Sequence, residues 1–246
     1  MLAPVGALEQ QRCEQPILAL VHSTAEYCAP VWCRSAHTCL IDPTINGALR
    51  IATGCLCPTP VDNLPILAGV QPAELRRIGV TMSLGRRAME PGHLLHSALT
   101  RPPSANARRL ETRHPFVHAA QQHISFSDNN IRAAQWADHQ WNAEWADNPT
   151  TLRTLTPTPV HTPGMTLQKR AWVRLNRLRT GVRSFHSCLY KWGIASSVAC
   201  ECGAEEQTVD HVVFHCPIHR PPHGLHSLMV LDDETIEWLL ITCPEI

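Results

Sequence analysis

The spacing of apolar residues predicts a series of short helices in the N-terminal part of the chain. Apolar side chains recur there every three or four positions, which is the spacing of one helix face. The predicted helices cover Pro16 to Ala36 with an interruption at Pro30, His37 to Thr53, Asn63 to Ala68, Pro72 to Met89, and a segment beginning near His93. Gly54 follows the second of these, where a glycine commonly ends a helix. Because alternating strand patterns are sparse, the sequence predicts a mainly α fold.

The helical pattern weakens between Pro102 and Ser127 and returns from Asn130 to Ala146. This later segment contains Trp136, Trp141 and Trp145, spaced by five and four residues. Aromatic rings at such spacing could stack on nucleic-acid bases. Packing against neighbouring helices is the interpretation that general burial tendencies favour.

A linker is predicted at 150–165, because Thr150 to Gly164 contains three prolines and six threonines and has no hydrophobic period. A further helix is predicted after the linker, from about Thr166 to Thr180, and Gly181 is expected to end it. The apolar stripe of this helix consists of Trp172, Leu175 and Leu178.

The helix predicted after the linker carries a biased charge. Residues 166–183 contain no acidic residue and six basic ones, namely Lys169, Arg170, Arg174, Arg177, Arg179 and Arg183. Clustered basic side chains are typical of phosphate contact, so we predict that these six residues bind nucleic acid. An ordinary solvated helix face is the alternative. The whole chain has 21 basic and 21 acidic residues, so its bulk charge does not predict nucleic-acid binding.

Length and composition indicate the number of domains and the cellular compartment. The chain has 246 residues, of which 44% are hydrophobic, and this suits one or two domains with a sizeable core. No segment approaches the roughly 20 apolar residues of a membrane helix, and no secretory signal follows Met1. We therefore expect an intracellular protein, nuclear or cytoplasmic, that is not secreted and has no membrane partner. Intracellular thiols stay reduced, so clustered cysteines are expected to be metal ligands.

One cluster of cysteines has the composition of a metal site. Cys200, Cys202, His211 and Cys216 follow one another within seventeen residues. Three thiolates and one imidazole form a complete tetrahedral set for one structural Zn²⁺ ion, with no position open for catalysis. Reduced cysteines that merely pack are the alternative, and His215 and His219 are spare ligands nearby. A second C-x-C pair, Cys55 and Cys57, has no nearby histidine pair and is interpreted as structural.

An acidic pair near the C-terminus resembles a catalytic motif. Met229-Val-Leu-Asp232-Asp233 is similar to the hydrophobic-x-Asp-Asp turn on which polymerases hold metal ions. Asp232 and Asp233 also precede the apolar residues of a predicted short helix that includes Trp238. We interpret the pair as a helix cap, so no catalytic residue is predicted.

Two groups of segments resemble one known protein family. The first group is Tyr27-Cys-Ala-Pro-Val-Trp32, Leu49-Arg-Ile-Ala-Thr-Gly54 and Pro72-Ala-Glu-Leu-Arg-Arg77; the second is Arg174-Leu-Asn-Arg-Leu-Arg-Thr-Gly181 and the cysteine–histidine set. They are similar, in the same order, to the region after the polymerase palm in reverse transcriptases of jockey-like non-LTR (LINE-type) retrotransposons. The resemblance implies a thumb-like helical region and a zinc knuckle, with Arg174, Arg177 and Arg179 contacting nucleic acid.

The resemblance also implies a domain organisation and a function. The expected regions are a thumb-like helical region at 1–115, a tryptophan-containing connection at 116–149, the linker at 150–165, and a basic helix with a CCHC zinc knuckle at 166–246. The expected function is noncatalytic binding of RNA or single-stranded DNA, because the resemblance begins after the catalytic palm. A domesticated, zinc-stapled protein-interaction module is one alternative. A cryptic nuclease or polymerase is another, and only Asp232 and Asp233 could serve it.

Overall fold

The described part of the protein is built from helices. A computed structural model describes residues 17–33, 35–100, 133–147, 164 and 166–241, and no strand occurs among them. The prediction of a mainly α fold is therefore confirmed. The helices are α1 (Ser23–Ala25), α2 (Ala29–Trp32), α3 (Thr38–Thr53), α4 (Asn63–Ala68), α5 (Ala73–Ala88), α6 (His96–Thr100), α7 (Ala133–Asp147), α8 (Lys169–Thr180), α9 (His186–Lys191), α10 (Ser227–Val230) and α11 (Asp233–Ile241). Ile17–His22 and His211–His215 are π-helical, and Gly224–His226 is a 3₁₀ turn.

The predicted helices agree with α3, α4 and α5 to within a residue or two at each end. The first predicted helix breaks at a different residue from the one expected. Cys28 adopts the left-handed conformation, with φ of 55°, and turns the chain there. Pro30 lies in the first turn of α2, where a residue without an N–H leaves no helical hydrogen bond unmade. None of the described helices is long and apolar enough to cross a membrane.

The described residues form two compact units that interleave along the chain. The N-terminal unit contains the described residues of 18–46, 71–100 and 133–147. The C-terminal unit contains Ile17, 47–70 and the described residues from 164 to 241. The division falls within α3, between Asn46 and Gly47. The segment 47–70 therefore clusters with the basic helix, whereas the sequence grouped it with the N-terminal helices. Most of the predicted linker at 150–165 and of the connection at 116–149 lies outside the described residues.

In the N-terminal unit, α5 packs against α2 and α7. Two adjacent arginines of α5 form ion pairs with other segments of the unit. Arg77 donates to both carboxylate oxygens of Asp42, at 2.6 and 3.2 Å, and Arg76 pairs with Glu26. Trp141 on α7 is buried, which confirms the packing interpretation for that residue. Trp136 is half-buried, and the side chain of Trp145 lies outside the described residues.

The core of the C-terminal unit forms around α8, which packs against α11. The predicted apolar stripe of α8 is confirmed, because Trp172, Leu175 and Leu178 are all buried. Further buried core residues are Phe185, which precedes the cysteine–histidine set, Val212 and Val213, which lie between His211 and Cys216, and Leu228, Trp238 and Leu239 of α10 and α11. Gly181 ends α8 in the left-handed conformation, as expected.

Candidate metal centre

Four residues that the sequence singled out converge in the C-terminal unit. The ligand atoms of Cys200, Cys202, His211 and Cys216 all lie within 4.8 Å of one another. The Sγ atoms of Cys200 and Cys216 are 3.8 Å apart, and Sγ of Cys202 is 3.1 Å from Nε2 of His211. No other group of three or more His, Cys, Asp or Glu residues in the described part of the chain is arranged to hold a metal ion. The four residues could therefore bind one ion.

The first two cysteines lie on a tight turn. The backbone N–H of Cys200 donates to the carbonyl of Ala204 at 2.9 Å, and that of Gly203 donates to the carbonyl of Cys200 at 3.0 Å. Gly203 has φ of 93°, a conformation that residues with a Cβ rarely adopt. The backbone reversal at Gly203 turns the thiols of Cys200 and Cys202 toward one centre.

The histidine and the last cysteine come from one π-helical turn and its exit. Thr208 accepts a hydrogen bond from the backbone N–H of His211 through its Oγ1 atom, at 3.1 Å, and so caps the turn. Cys216 follows the turn in an extended conformation, with φ of −71° and ψ of 121°. Its N–H still donates to the carbonyl of His211 at 2.7 Å. Cys216 therefore lies just outside the turn that presents His211.

Hydrogen bonds favour ionisation of Cys200. Burial alone would raise the pKa of this thiol above its ordinary value of 9.0. Hydrogen bonds from the backbone N–H and thiol of Cys202, the side-chain amide of Gln207 and the thiol of Cys216 outweigh burial and lower the pKa. The pKa of Cys202 shifts upward: the backbone N–H of Ala204 lowers it, but burial and the neighbouring sulfurs raise it more. Cys200 is therefore the thiol in this pair that ionises first.

The two spare histidines are placed differently from each other. His215 is exposed. His219 is buried, its backbone N–H donates to Sγ of Cys216 at 3.4 Å, and its ring Nε2 lies 3.5 Å from a carboxylate oxygen of Glu201. Neither belongs to the converging set. His219 instead donates a backbone hydrogen bond to the sulfur of Cys216.

Most of the predicted nucleic-acid-binding residues make internal contacts. Lys169, Asn176 and Arg177 of α8 donate to three consecutive carbonyls at the end of α3, those of residues 52, 53 and 54, at 2.9, 3.0 and 2.9 Å. The last carbonyls of a helix have no partner within it and carry partial negative charge, so cationic side chains suit them. These contacts tie α8 to the segment 47–70.

The six basic residues differ in how exposed their side chains are. Arg174 donates to the carbonyls of Leu239 and Leu240, both at 2.8 Å, in the last turn of α11. Arg179 and Arg183 are buried, and burial lowers the pKa of Arg179 to about 10. Lys169 and Arg170 have exposed side chains. The binding of nucleic acid by all six remains a prediction, and exposure favours Lys169 and Arg170 for it.

The first residue of the acidic pair caps a helix. Asp232 accepts a hydrogen bond from the backbone N–H of Thr235 at 2.9 Å, just before α11 begins at Asp233. Hydrogen bonds from Thr235 lower the pKa of Asp232. Its second carboxylate oxygen lies 3.6 Å from Nε2 of His223. The interpretation of Asp232 as a helix cap is confirmed.

The second C-x-C pair does not belong to the converging set. Cys55 is buried, and burial raises the pKa of its thiol, whereas Cys57 is exposed. Gln207, which contacts Cys200, was missed because glutamine carries no metal-ligand signal in the sequence. Comparisons with protein families, with curated proteins and with solved structures found no match.

Proposed function

We propose that the four converging residues hold one Zn²⁺ ion and that the ion has a structural role. Zinc lies about 2.3 Å from sulfur and about 2.0 Å from nitrogen, so a tetrahedral site places two sulfurs about 3.8 Å apart and sulfur about 3.5 Å from nitrogen. The corresponding distances are 3.8 Å for Cys200–Cys216 and 3.1 Å for Cys202–His211. Four protein ligands leave no site for a substrate or water, so the ion would staple the fold.

Metal analysis tests this proposal. The purified full chain should contain one zinc per molecule, and Cys200→Ser and His211→Ala should each lose it. Cys57→Ser is the matched control, because this exposed cysteine belongs to the other C-x-C pair; it should retain the metal. A folded chain without zinc, or zinc that both site variants retain, would contradict the proposal.

The second part of the proposal is that the chain is the noncatalytic, nucleic-acid-binding region of a reverse-transcriptase-like protein. Its support is the order of the resembling segments and the adjacency of the basic helix to a set of zinc-ligand residues. The exposed side chains of Lys169 and Arg170 stand at the N-terminal end of α8. Contact with phosphate is proposed there, with RNA or single-stranded DNA as the ligand.

Salt dependence of binding tests this second part. Fluorescence anisotropy with labelled single-stranded RNA and DNA should give affinities that fall steeply with salt. For the pair of substitutions Lys169→Glu and Arg170→Glu, the slope of log affinity against log salt should decrease by about 1.4, or about 0.7 for each phosphate that is no longer neutralised. Lys191→Glu, an exposed residue of α9, is the control. Binding without salt dependence, or unchanged by the double substitution, would contradict it.

One observation favours a second candidate function, a zinc-stapled protein-interaction module. Five of the six basic side chains are buried or bonded to backbone carbonyls. Apolar side chains are exposed near the metal centre in sequence, with Tyr190 at 53%, Ile194 at 71% and Ile218 at 52% exposure. Zinc binding combined with no measurable affinity for either nucleic acid would favour this function.

A further inference from the structure

One buried glutamine contacts both the metal centre and a neighbouring helix. Gln207 is 3% exposed, and its side-chain Nε2 donates to Sγ of Cys200 at 3.6 Å. Its side-chain oxygen accepts a hydrogen bond from the backbone N–H of His186 at 3.0 Å. Its backbone carbonyl accepts the N–H of Ser187 at 3.3 Å, and its own N–H donates to Val198 at 2.8 Å. All the polar groups of this residue are thus engaged.

The two N–H groups that Gln207 accepts from are the first two of α9. The first N–H groups of a helix have no partner within the helix, and leaving one unpaired in a buried place costs free energy. In α9, the following N–H groups, those of Cys188 and Leu189, donate to the carbonyl of Phe185. Gln207 therefore completes the N-terminal turn of α9.

The same amide fixes the hydrogen bond to the cysteine. Its oxygen must face the N–H of His186, since an NH₂ group there would place two donors together. The NH₂ group is then left facing Sγ of Cys200. A donor in this position stabilises the thiolate, which is the form of cysteine that binds a metal ion.

We propose that Gln207 is a positioning residue of the metal centre, and that it couples metal binding at Cys200 to the ordering of α9. This inference rests on the proposed zinc site. A thiolate held by zinc gives the amide a charged, fixed acceptor, and the amide in turn holds the first turn of α9. Outer partners of metal ligands commonly change affinity by about 10- to 100-fold when removed.

The test compares the full chain with Gln207→Met, which has similar size but no amide. The zinc affinity of the variant, measured by competition with a chelator, should fall by about 10- to 100-fold. In the Co²⁺-loaded variant, the sulfur-to-metal charge-transfer band should move to longer wavelength, because the thiolate has one hydrogen bond fewer. Gln207→Asn has a side chain that is one methylene shorter, and its zinc affinity should lie between those of the unaltered chain and Gln207→Met. It provides the test if the methionine variant does not fold.

Hydrogen exchange separates coupling from a general loss of stability. In the unaltered chain, adding zinc should slow exchange of the amides of residues 186–191, and in Gln207→Met this gain should disappear. Ser187→Ala is the matched control, because it alters a buried side chain of α9 and keeps the backbone N–H; its zinc affinity should stay within about twofold of the unaltered chain. Undiminished zinc affinity in both Gln207 variants would overturn this inference and leave the proposed zinc site standing. So would an unchanged gain in exchange protection of residues 186–191 in Gln207→Met. Absence of zinc binding by the unaltered chain would overturn the proposed zinc site as well.

Discussion

At the scale of single residues, Gly54 shows how closely two helices approach. It ends α3 with φ of 70°, and a Cβ placed there would lie 2.2 Å from Cγ2 and 2.9 Å from Cβ of Val173 on α8. The second of these atoms is fixed to the backbone, so rotation of the valine cannot relieve the overlap. Glycine is therefore required at this position for both conformation and space.

We predict that Gly54→Ala lowers the free energy of unfolding by about 2–4 kcal/mol, from left-handed strain and overpacking together. Urea unfolding of the full chain measures it. Gly47→Ala is the matched control, since nothing lies within 4 Å of its added Cβ and the residue is inside α3. The control should be neutral or stabilising by up to about 1 kcal/mol. Equal effects of the two substitutions would contradict the close packing of Gly54.

Glu26 gives a residue-scale prediction for pH. Burial raises its pKa, but hydrogen bonds from His22 and Arg76 outweigh burial and hold the pKa below the ordinary value of 4.5. The folded state therefore favours the ionised carboxylate. The resulting stability is fully present above pH 4.5 and is lost as pH falls through the folded-state pKa.

For this reason Glu26→Gln should unfold more easily than the unaltered chain at neutral pH and should lose less stability on acidification. The cost at neutral pH should be about 1–2 kcal/mol, since the carboxylate is paired and only partly exposed. Urea midpoints measured from about pH 3 to pH 6 test it. Parallel curves for the two proteins would show that Glu26 does not contribute to acid unfolding.

At the scale of elements, α8 joins other helices through their C-terminal ends. Arg174 reaches two carbonyls in the last turn of α11, and Arg177 reaches the carbonyl of Gly54 at the end of α3. Each contact places a cation where a helix dipole is negative. The basic side of α8 thus stabilises the C-terminal unit from within.

Arg174→Met should consequently lower the free energy of unfolding by about 1.5–3 kcal/mol, the range for hydrogen bonds to a charged group. Methionine keeps the length of the side chain and removes the donors. Arg170→Met, on the exposed side of the same helix, should change stability by less than about 0.5 kcal/mol. A similar small change for both would indicate that the contact at Arg174 contributes nothing.

Sequence patterns predicted where the helices lie better than which groups their side chains contact. Helices α3, α4, α5 and α8 follow from apolar spacing, capping and glycine positions, which are local properties. The convergence of Cys200, Cys202, His211 and Cys216 follows from their chemistry and spacing. The internal role of Arg174 and Arg177 could not be predicted, because a sequence shows the charge on a helix face but not which carbonyls will meet it. Gln207 gave no signal because glutamine is not a metal-ligand residue type.

At the scale of the whole molecule, the C-terminal unit depends on segments that are far apart in the chain. Residues 47–70 cluster with residues after 164. Val212 and Val213 are buried in the core between His211 and Cys216, two of the four candidate metal ligands. A metal ion bound by these residues would keep Val212 and Val213 in their buried positions. We therefore predict that zinc stabilises the C-terminal unit.

Thermal unfolding of the full chain before and after removal of zinc by a chelator tests whether zinc stabilises the unit. We predict that removal lowers the midpoint by about 10 °C or more, as expected for a loss of about 3 kcal/mol or more in a chain of this size. Adding back zinc should restore the midpoint, and Cys200→Ser should show neither change. An identical midpoint with and without zinc, in protein shown to have lost the metal, would contradict the account.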